Sequence, residues 1–385
     1  MDANATTPLL PEVFEAMRPY FIEKFGNASS AHQVGQHARG AVELARAQVA
    51  LLLGAMPNEI VFTSGGTEAD NLALFGVLKA GDHLITSTIE HHAVIHAADA
   101  LEKQGVEVTR IKVDERCWVD PAQVAAVMRK NTRLVSIMAA NNETGVIQPI
   151  AEIAKIAHEG GALFHSDAVQ CASKHPLNVG QIGCDLLTIS GHKIHGPQGT
   201  GALYVKKGTE LKAQMHGGSH ERQRRAGTEN VPGLVGLGKA AEIARKSLND
   251  EYIAKIAALR DRLEAALLAA VDDSTVNGKG QQRVPNTANL RFDGVDSEAM
   301  LIALDLKGLA VSAGSACSSG AAEPSHVLTA MGLTPAQARA SLRFSLCRLS
   351  TEEEVDFAVQ VVPEVVERLR KLSPAYSRVA EKVKT

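Results

Sequence analysis

Short apolar runs alternate with segments of helical spacing along the first 245 residues or so, and this alternation constrains the fold most. The run "HLITS" (83–87) precedes an amphipathic segment, and "RLVSIMAA" (133–140) follows one that starts at Pro121. Strands that alternate with helices form a mostly parallel sheet with helices on both faces. The sequence therefore predicts an α/β fold built on a large, mostly parallel sheet.

The pattern changes near residue 245. A long charged helix is predicted over 248–271, followed by the shorter strands "NTANLRF" and "LAVSAG" and by a last helix over 352–372. This order is typical of a smaller α+β unit that follows a large α/β unit. We predict a large domain over 12–247 and a small domain formed by 1–11 and 248–385.

Charge and cysteine usage exclude several classes of protein. The 40 Lys and Arg nearly balance the 43 Asp and Glu, so the chain lacks the basic excess that nucleic acids or acidic membranes require. Five scattered cysteines form neither a disulfide framework nor a metal motif, and the first residues lack the apolar stretch of a signal peptide. We expect a cytoplasmic protein with no nucleic-acid or membrane partner.

Lys193 comes directly after the predicted strand "CDLLTIS", between His192 and a glycine-rich stretch. Sheets of this class bind ligands beyond the carboxyl ends of their strands. An amine in that position suits covalent bonding to a carbonyl group of a cofactor. A surface lysine at a strand end is the alternative.

Two further stretches point to the same cofactor. Asp167 ends the apolar run "ALFHS", where its carboxylate could hold a protonated pyridine nitrogen or cap a helix. In "FTSGGTEADN", two glycines and Thr67 stand between a strand and a helix, an arrangement that can hold a phosphate. An anion site, a carboxylate and a lysine in this order predict a pyridoxal 5'-phosphate enzyme.

Twelve motifs, spread over almost the whole length, give the chain a resemblance to the group I cysteine desulfurases of the class V aminotransferase family. The motifs nearest the nitrogen-fixation type are "RAGTEN" and "PNTANL", and the housekeeping iron–sulfur type stays open. With "PNTANL", the twelve stretches are "DANATTP", "FGNASSAH", "FTSGGTEADN", "EHHAV", "ANNETG", "SDAVQ", "SGHKIHGPQGTGALY", "GGSHERQRRAGTEN" (which ends in "RAGTEN"), "GSACSSG", "EPSHVL" and "LRFSLCRLSTEEEVD".

The resemblance implies the fold type I architecture of pyridoxal phosphate enzymes, with a seven-stranded sheet, and a homodimer with composite sites. Lys193 would bind the cofactor covalently, and Arg343 would bind the substrate carboxylate, with Arg348 as the competing candidate. Thr228 would reach the phosphate of the partner's cofactor, which places the basic cluster ending at Arg225 near the dimer interface. The remaining implied cofactor contacts are Gly66, Thr67, Ser190 and His192 at the phosphate, Asp167 at the ring nitrogen, Gln170 and Asn142 at the phenolic oxygen, and His91 stacked on the ring.

Asn142 would also lie near the substrate, as would Asn4. His91 is a further candidate for proton transfer. His92 and His96 are four residues apart, which is the spacing of two metal-binding histidines on one helix. However, no Glu completes an HExxH motif and no further metal ligands are evident. We interpret them as packing or surface residues.

Cys317 lies in "SAGSACSSG", a stretch of small residues that favours hinge motion over rigid packing. The resemblance implies that its thiolate attacks the sulfur of cofactor-bound L-cysteine, releases alanine and keeps a persulfide. The sulfur would pass to an iron–sulfur scaffold or another acceptor, with transient contact between Cys317 and the nascent cluster. The other four cysteines match no catalytic motif.

Two alternatives stay open beside L-cysteine desulfuration. The chain could act as a selenocysteine lyase or another class V transferase, although a transaminase has no need of Cys317. It could also be an inactive scaffold for iron–sulfur assembly, although Lys193, Asp167, His91 and Cys317 are all present.

Overall fold

A computed structural model describes residues 1–314 and 324–372 of the 385-residue chain. Seven strands form one sheet in the order β1-β7-β6-β5-β4-β2-β3, and three form a second, antiparallel sheet in the order β10-β9-β8. The strands are β1 Ile60–Thr63, β2 His83–Ser87, β3 Glu107–Ile111, β4 Thr132–Ser136, β5 Leu163–Asp167, β6 Leu186–Ser190, β7 Gly201–Val205, β8 Ser274–Val276, β9 Thr287–Phe292 and β10 Ser341–Ser345.

Fourteen α-helices surround and connect these sheets in the described part of the chain. They are α1 Pro11–Met17, α2 Pro19–Ile22, α3 Gln33–Leu53, α4 Gly66–Val77, α5 His92–Glu102, α6 Pro121–Val127, α7 Ile150–Glu159, α8 Val179–Ile182, α9 Val231–Ser247, α10 Asp250–Ala270, α11 Ser297–Asp305, α12 His326–Ala330, α13 Pro335–Ala338 and α14 Glu352–Leu372. In the described ranges no helix has the length and apolar character needed to span a bilayer.

Apart from the edge strand β3, the large sheet is buried on both faces, which explains why most of its strands appear in the sequence as short apolar runs. Neighbouring side chains point to opposite faces, so Ile60 and Phe62 pack with α3 and α9 while Val61 packs with α4 and α5. Strands β2 to β6 pair in parallel, and only β7 runs against its neighbours β6 and β1. The predicted α/β fold is confirmed.

The second sheet packs against α10, α11 and α14 around its own apolar core. The long helix predicted over 248–271 corresponds to α10. The division into domains at residues 247 and 248 stays a prediction.

The prediction of a strand at "LAVSAG" is wrong. Within the described residues this segment makes one isolated bridge, between Ser312 and Arg343 of β10. Gly314 then takes a left-handed conformation with φ of +67°, which is incompatible with continued strand pairing. Strand β3 was not predicted, because this edge strand is only partly buried and lacks an apolar run.

Ion pairs hold the basic cluster 220–225 against the large sheet. The carboxylate of Glu221 accepts hydrogen bonds from both terminal nitrogens of Arg46, at 2.7 and 2.8 Å, and both side chains are buried. Arg225 donates to Glu68 at the start of α4, with a shortest N–O distance of 2.8 Å. The cluster is therefore anchored rather than a merely solvated loop, while its predicted place at a dimer interface stays a prediction.

Candidate active site

The carboxyl ends of five strands meet at one edge of the large sheet. Strands β2, β4, β5 and β6 are parallel, and β1 has the same direction because both β1 and β6 pair antiparallel with β7. The segments that follow these ends line one cavity. The predicted site residues that line this cavity are Asn4, Gly66, Thr67, His91, Asn142, Asp167, Gln170, Ser190, His192, Lys193 and Arg343.

One end of the cavity is suited to an anion. Helix α4 begins at Gly66, so the first main-chain N–H groups of this helix face the site without partners inside the helix. Thr67, Ser190 and His192 border the same corner. A side chain at Gly66 would place its Cβ 3.0 Å from Val169, so glycine allows the close approach that the corner requires.

Lys193 lies in a short turn over Gly191–Lys193, immediately after β6. Its amine donates to the main-chain oxygens of Asn4, at 2.5 Å, and of Ala5, at 2.7 Å. A Cβ at Gly191 would come within 2.4 Å of the Thr200 hydroxyl, so this turn requires glycine. The N-terminal segment thus holds the lysine amine inside the cavity.

Asp167 is the last residue of β5 and is 5% exposed. Its carboxylate accepts a hydrogen bond from the main-chain N–H of Val169 at 2.9 Å. Burial raises the pKa of Asp167 to about 6, although that hydrogen bond and the charge of Lys193 favour the ionised form. A positive ligand atom would stabilise this carboxylate, because it would replace the lost solvation.

His91 caps the N-terminus of α5. Its Nδ1 accepts a hydrogen bond from the main-chain N–H of Ala93 at 3.1 Å, so the neutral ring carries its proton on Nε2. Burial, with the charge of Lys193 as a second cause, lowers the pKa of His91 to about 4. The imidazole is therefore neutral at physiological pH and presents an N–H group.

Arg343 lies on β10 and is 2% exposed. Its guanidinium donates to the main-chain oxygen of Asn142 at 3.0 Å and to the carboxylate of Asp2 at 2.9 Å. Its Nε and the side-chain oxygen of Asn142 are both buried without a hydrogen-bond partner in the described chain. Two orphaned polar atoms on one cavity indicate a polar ligand. Arg348 does not line this cavity, which favours Arg343 as the carboxylate-binding residue.

Among the described residues, one predicted cofactor contact does not line the cavity. Thr228 is exposed and borders a separate pocket with Ser64 and Asn230; its contact with a partner's phosphate stays a prediction. Cys317 lies outside the described residues. The structure places its near neighbour Ser312 against Arg343, with main-chain hydrogen bonds of 2.7 and 3.2 Å.

Several buried titratable groups around the site were not predicted from the sequence. Asp70 lines the cavity, and burial, reinforced by the charge of Asp167, raises its pKa well above the usual range. Glu90 is buried nearby, and burial raises its pKa to about 8. Lys174 is buried beside Gln170. The one sequence feature that pointed to Lys174 is its spacing of four residues from Gln170, because side chains at that spacing can contact each other within one turn.

Pyridoxal phosphate matches this set of donors and acceptors. The anion corner suits its phosphate, Asp167 suits a protonated ring nitrogen, and Lys193 suits its aldehyde. The unpartnered oxygen of Asn142 and the neutral ring of His91 lie on the same cavity. The residues present therefore fit this cofactor.

Comparisons with known proteins agree with the geometry. The model of the aminotransferase class-V family matches residues 1–357. A cysteine desulfurase of Trichormus azollae is 52% identical over 377 residues, covering 97% of this chain and 94% of that protein.

Two solved structures are similar over almost the whole chain. One is described as a NifS-like protein, with a TM-score of 0.89 and 36% identity over 96% of this chain and 99% of its own. The other is SspA in complex with cysteine, with a TM-score of 0.79 and 36% identity over 91% of this chain and 99% of its own.

We expect the affinity for pyridoxal phosphate to fall as the pH drops below about 6. In the apoprotein the carboxyl of Asp167 binds a proton below that pH. Binding of a cofactor with a cationic ring nitrogen requires Asp167 to lose this proton, so protonation of Asp167 competes with cofactor binding. The dissociation constant should rise by up to about tenfold per pH unit, measured by fluorescence titration of the apoprotein.

The variant Asp167→Asn is the control, because it shares every titration of the cofactor itself. It should bind more weakly and lack the additional dependence below pH 6. Identical pH profiles for the two proteins would contradict the assignment of Asp167.

Proposed function

The chain belongs to the cysteine desulfurases of the aminotransferase class-V family, and we propose that it converts L-cysteine to L-alanine while a persulfide forms on Cys317. The observation that supports this most is the convergence of Lys193, Asp167 and Arg343 on one cavity. An amine, a carboxylate and a guanidinium in one cavity match the needs of an amino-acid substrate on pyridoxal phosphate. Sulfur passes from the persulfide to an acceptor protein, in our proposal an iron–sulfur scaffold.

The chain's own residues divide the work. When bound, the cofactor supplies an aldehyde for covalent bonding to amines and a cationic ring that withdraws electrons from the substrate Cα. Asp167 keeps that ring charged, and the anion corner at Gly66 and Thr67 holds the phosphate. Lys193, once released, takes the proton from Cα, and the carbonyls of Asn4 and Ala5 stabilise its ammonium form.

Arg343 orients the substrate through its carboxylate. Guanidinium offers a planar pair of donors that matches a carboxylate, and the Arg343 Nε is buried without a partner in the described chain. Asp2 and the main chain of Asn142 fix the rest of the guanidinium. Main-chain hydrogen bonds join Ser312 to Arg343. The segment that precedes Cys317 is therefore attached to the strand that carries the proposed carboxylate-binding residue.

The sulfur-transfer step needs no oxidant other than L-cysteine itself. Cys317 loses its thiol proton and its sulfur bonds to the substrate sulfur, while the carbon–sulfur bond breaks and its electrons remain with the carbon. Protonation of that carbon gives alanine, and the terminal sulfur stays on Cys317 as a persulfide. L-Cysteine and an enzyme thiol thus yield L-alanine and an enzyme persulfide.

The described cysteines are poor candidates for this role. Burial raises the pKa of Cys117 and of Cys171 to about 12, and it raises that of Cys184 further. A thiolate is the reactive form, so these thiols are unreactive at neutral pH. Cys347 is half-buried and does not line the cavity. This supports Cys317 as the nucleophile.

We also propose a cytoplasmic homodimer. The first three helices and the loops beside them expose large apolar side chains, a pattern typical of an interaction surface. These side chains are Phe14, Phe21, Ile22, Phe25, Val34, Leu44 and Leu51. The described cysteines are free thiols, as expected in a reducing compartment.

Replacing Cys317 with Ala should abolish persulfide formation but leave cofactor binding intact. Alanine production from L-cysteine with a reductant should fall by roughly 1000-fold or more, because the nucleophile is lost. The visible absorption of the bound cofactor should persist. Cys347→Ala is the matched control and should keep its activity.

Full activity in Cys317→Ala would refute the persulfide route. A wild-type protein that binds cofactor yet forms no alanine would instead support the inactive scaffold. Parallel assays of alanine formation from L-selenocysteine and from L-cysteine distinguish a selenocysteine lyase from a cysteine desulfurase.

Replacing Arg343 with Lys should raise the KM for L-cysteine by about tenfold or more, since an ammonium cannot reproduce the two-donor fork. The effect on kcat should be smaller. Steady-state kinetics of alanine formation test this, with Arg348→Lys as the control outside the cavity. Equal KM values for both variants would exclude Arg343 as the carboxylate-binding residue.

A further inference from the structure

Lys174 is a buried ammonium beside the cavity, and it is 5% exposed. Its amine donates to the side-chain oxygens of Gln170, at 2.5 Å, and of Asn4, at 3.0 Å. No carboxylate of the described residues lies within ion-pair distance of that amine; the charged groups that act on it are cations and thiols. An ammonium buried without a countercharge is costly, so it needs a functional reason.

The backbone next to Lys174 is itself unusual. Ser173 takes the left-handed conformation, with φ of +66°. The main-chain N–H of Lys174 donates to the carbonyl of Cys171 at 2.9 Å and closes the turn. Non-glycine residues keep such a conformation only where their surroundings impose it, and such positions cluster at functional sites.

The ammonium determines how two neighbouring amides are oriented. An ammonium only donates hydrogen bonds, so the atoms that face it in Gln170 and Asn4 are their oxygens. The Gln170 amide nitrogen is therefore left to donate, and it reaches the main-chain oxygen of Asn4 at 3.2 Å. That oxygen is also an acceptor for Lys193. Lys174 and Lys193 are thus connected through Asn4.

We propose that Lys174 is a positioning residue that fixes the amide nitrogen of Gln170 toward the phenolic oxygen of the cofactor and adds positive charge on that side of the cavity. This inference rests on the proposed function. Gln170 lines the cavity, and a glutamine whose oxygen is already bound can present only its N–H groups to a ligand. The phenolate supplies the countercharge that the described protein groups do not.

The electrostatic surroundings of Lys174 have one dominant sign. The groups that interact with it from the adjoining segments are Lys193, Arg343, His192, His195, Cys171 and Cys347. Burial, with the charge of Lys193 as a second cause, lowers the pKa of Lys174 to about 7. An anionic oxygen beside Gln170 favours the charged ammonium, and the ammonium in turn favours that anion.

The charge has a spectroscopic consequence in the resting holoenzyme. Positive charge near the phenolic oxygen disfavours a proton on the nitrogen that links Lys193 to the cofactor. The visible absorption band reports that proton, so Lys174 should keep the midpoint of the band's pH transition low. Loss of the charge should raise the midpoint.

The test is a spectrophotometric pH titration of substrate-free holoenzyme. Lys174→Met removes charge and donors at similar length, and its midpoint should lie about one pH unit or more above that of the wild type. Lys174→Gln keeps a hydrogen-bond donor without charge, so its midpoint should also rise. Lys155→Met, an exposed lysine on α7, is the matched control and should leave the midpoint unchanged.

Each outcome decides the proposal. Unchanged midpoints in folded, cofactor-loaded Lys174 variants would overturn it. If Lys174→Met fails to fold, the milder Lys174→Gln variant decides alone. If the wild type shows no visible band with pyridoxal phosphate, the proposed function itself fails, whereas a normal wild-type titration matched by the variants refutes only the role of Lys174.

Discussion

Parallel pairing of β5 with β6 is the constraint on which the site depends. It brings Asp167, the last residue of β5, and Lys193, three residues past β6, to the same edge of the sheet. Strand β1 has the same direction and ends there as well, so α4 starts at that edge with its first N–H groups available. A carboxylate, an amine and an anion cradle are therefore consequences of one sheet topology.

The titratable groups around the cavity form an acidic set and a basic set. Asp70, Glu90 and Asp167 form an acidic group, and burial raises the pKa of each. The charges of Lys193 and Arg343 both act on Lys174, while Lys193 also acts on Asp167 and Arg343 is paired with Asp2. A ring with a cationic nitrogen and an anionic oxygen has the complementary polarity, so this cofactor would relieve the desolvation of both groups.

The sequence predicted the parts of the site that lie at strand ends, because short apolar runs mark where those strands stop. It predicted the chain positions of Asp167, Thr67 and Lys193 in this way. It did not reveal Lys174, because its burial depends on Asn4 folding back from a position 170 residues away. The strand wrongly predicted at "LAVSAG" also depends on contacts distant in sequence. Apolar residues next to glycine do not show how many residues of the segment pair with another strand, and here only Ser312 does so among the described residues.

Reductive trapping of the lysine that binds the cofactor tests this account most directly. Borohydride treatment of the protein loaded with pyridoxal phosphate, followed by peptide mass spectrometry, identifies the modified amine. The structure offers two lysines at the site, the half-buried Lys193 and the buried Lys174 beside Gln170, and the account predicts modification of Lys193, with Lys174 unmodified. Modification of Lys174, or of neither lysine, would contradict it.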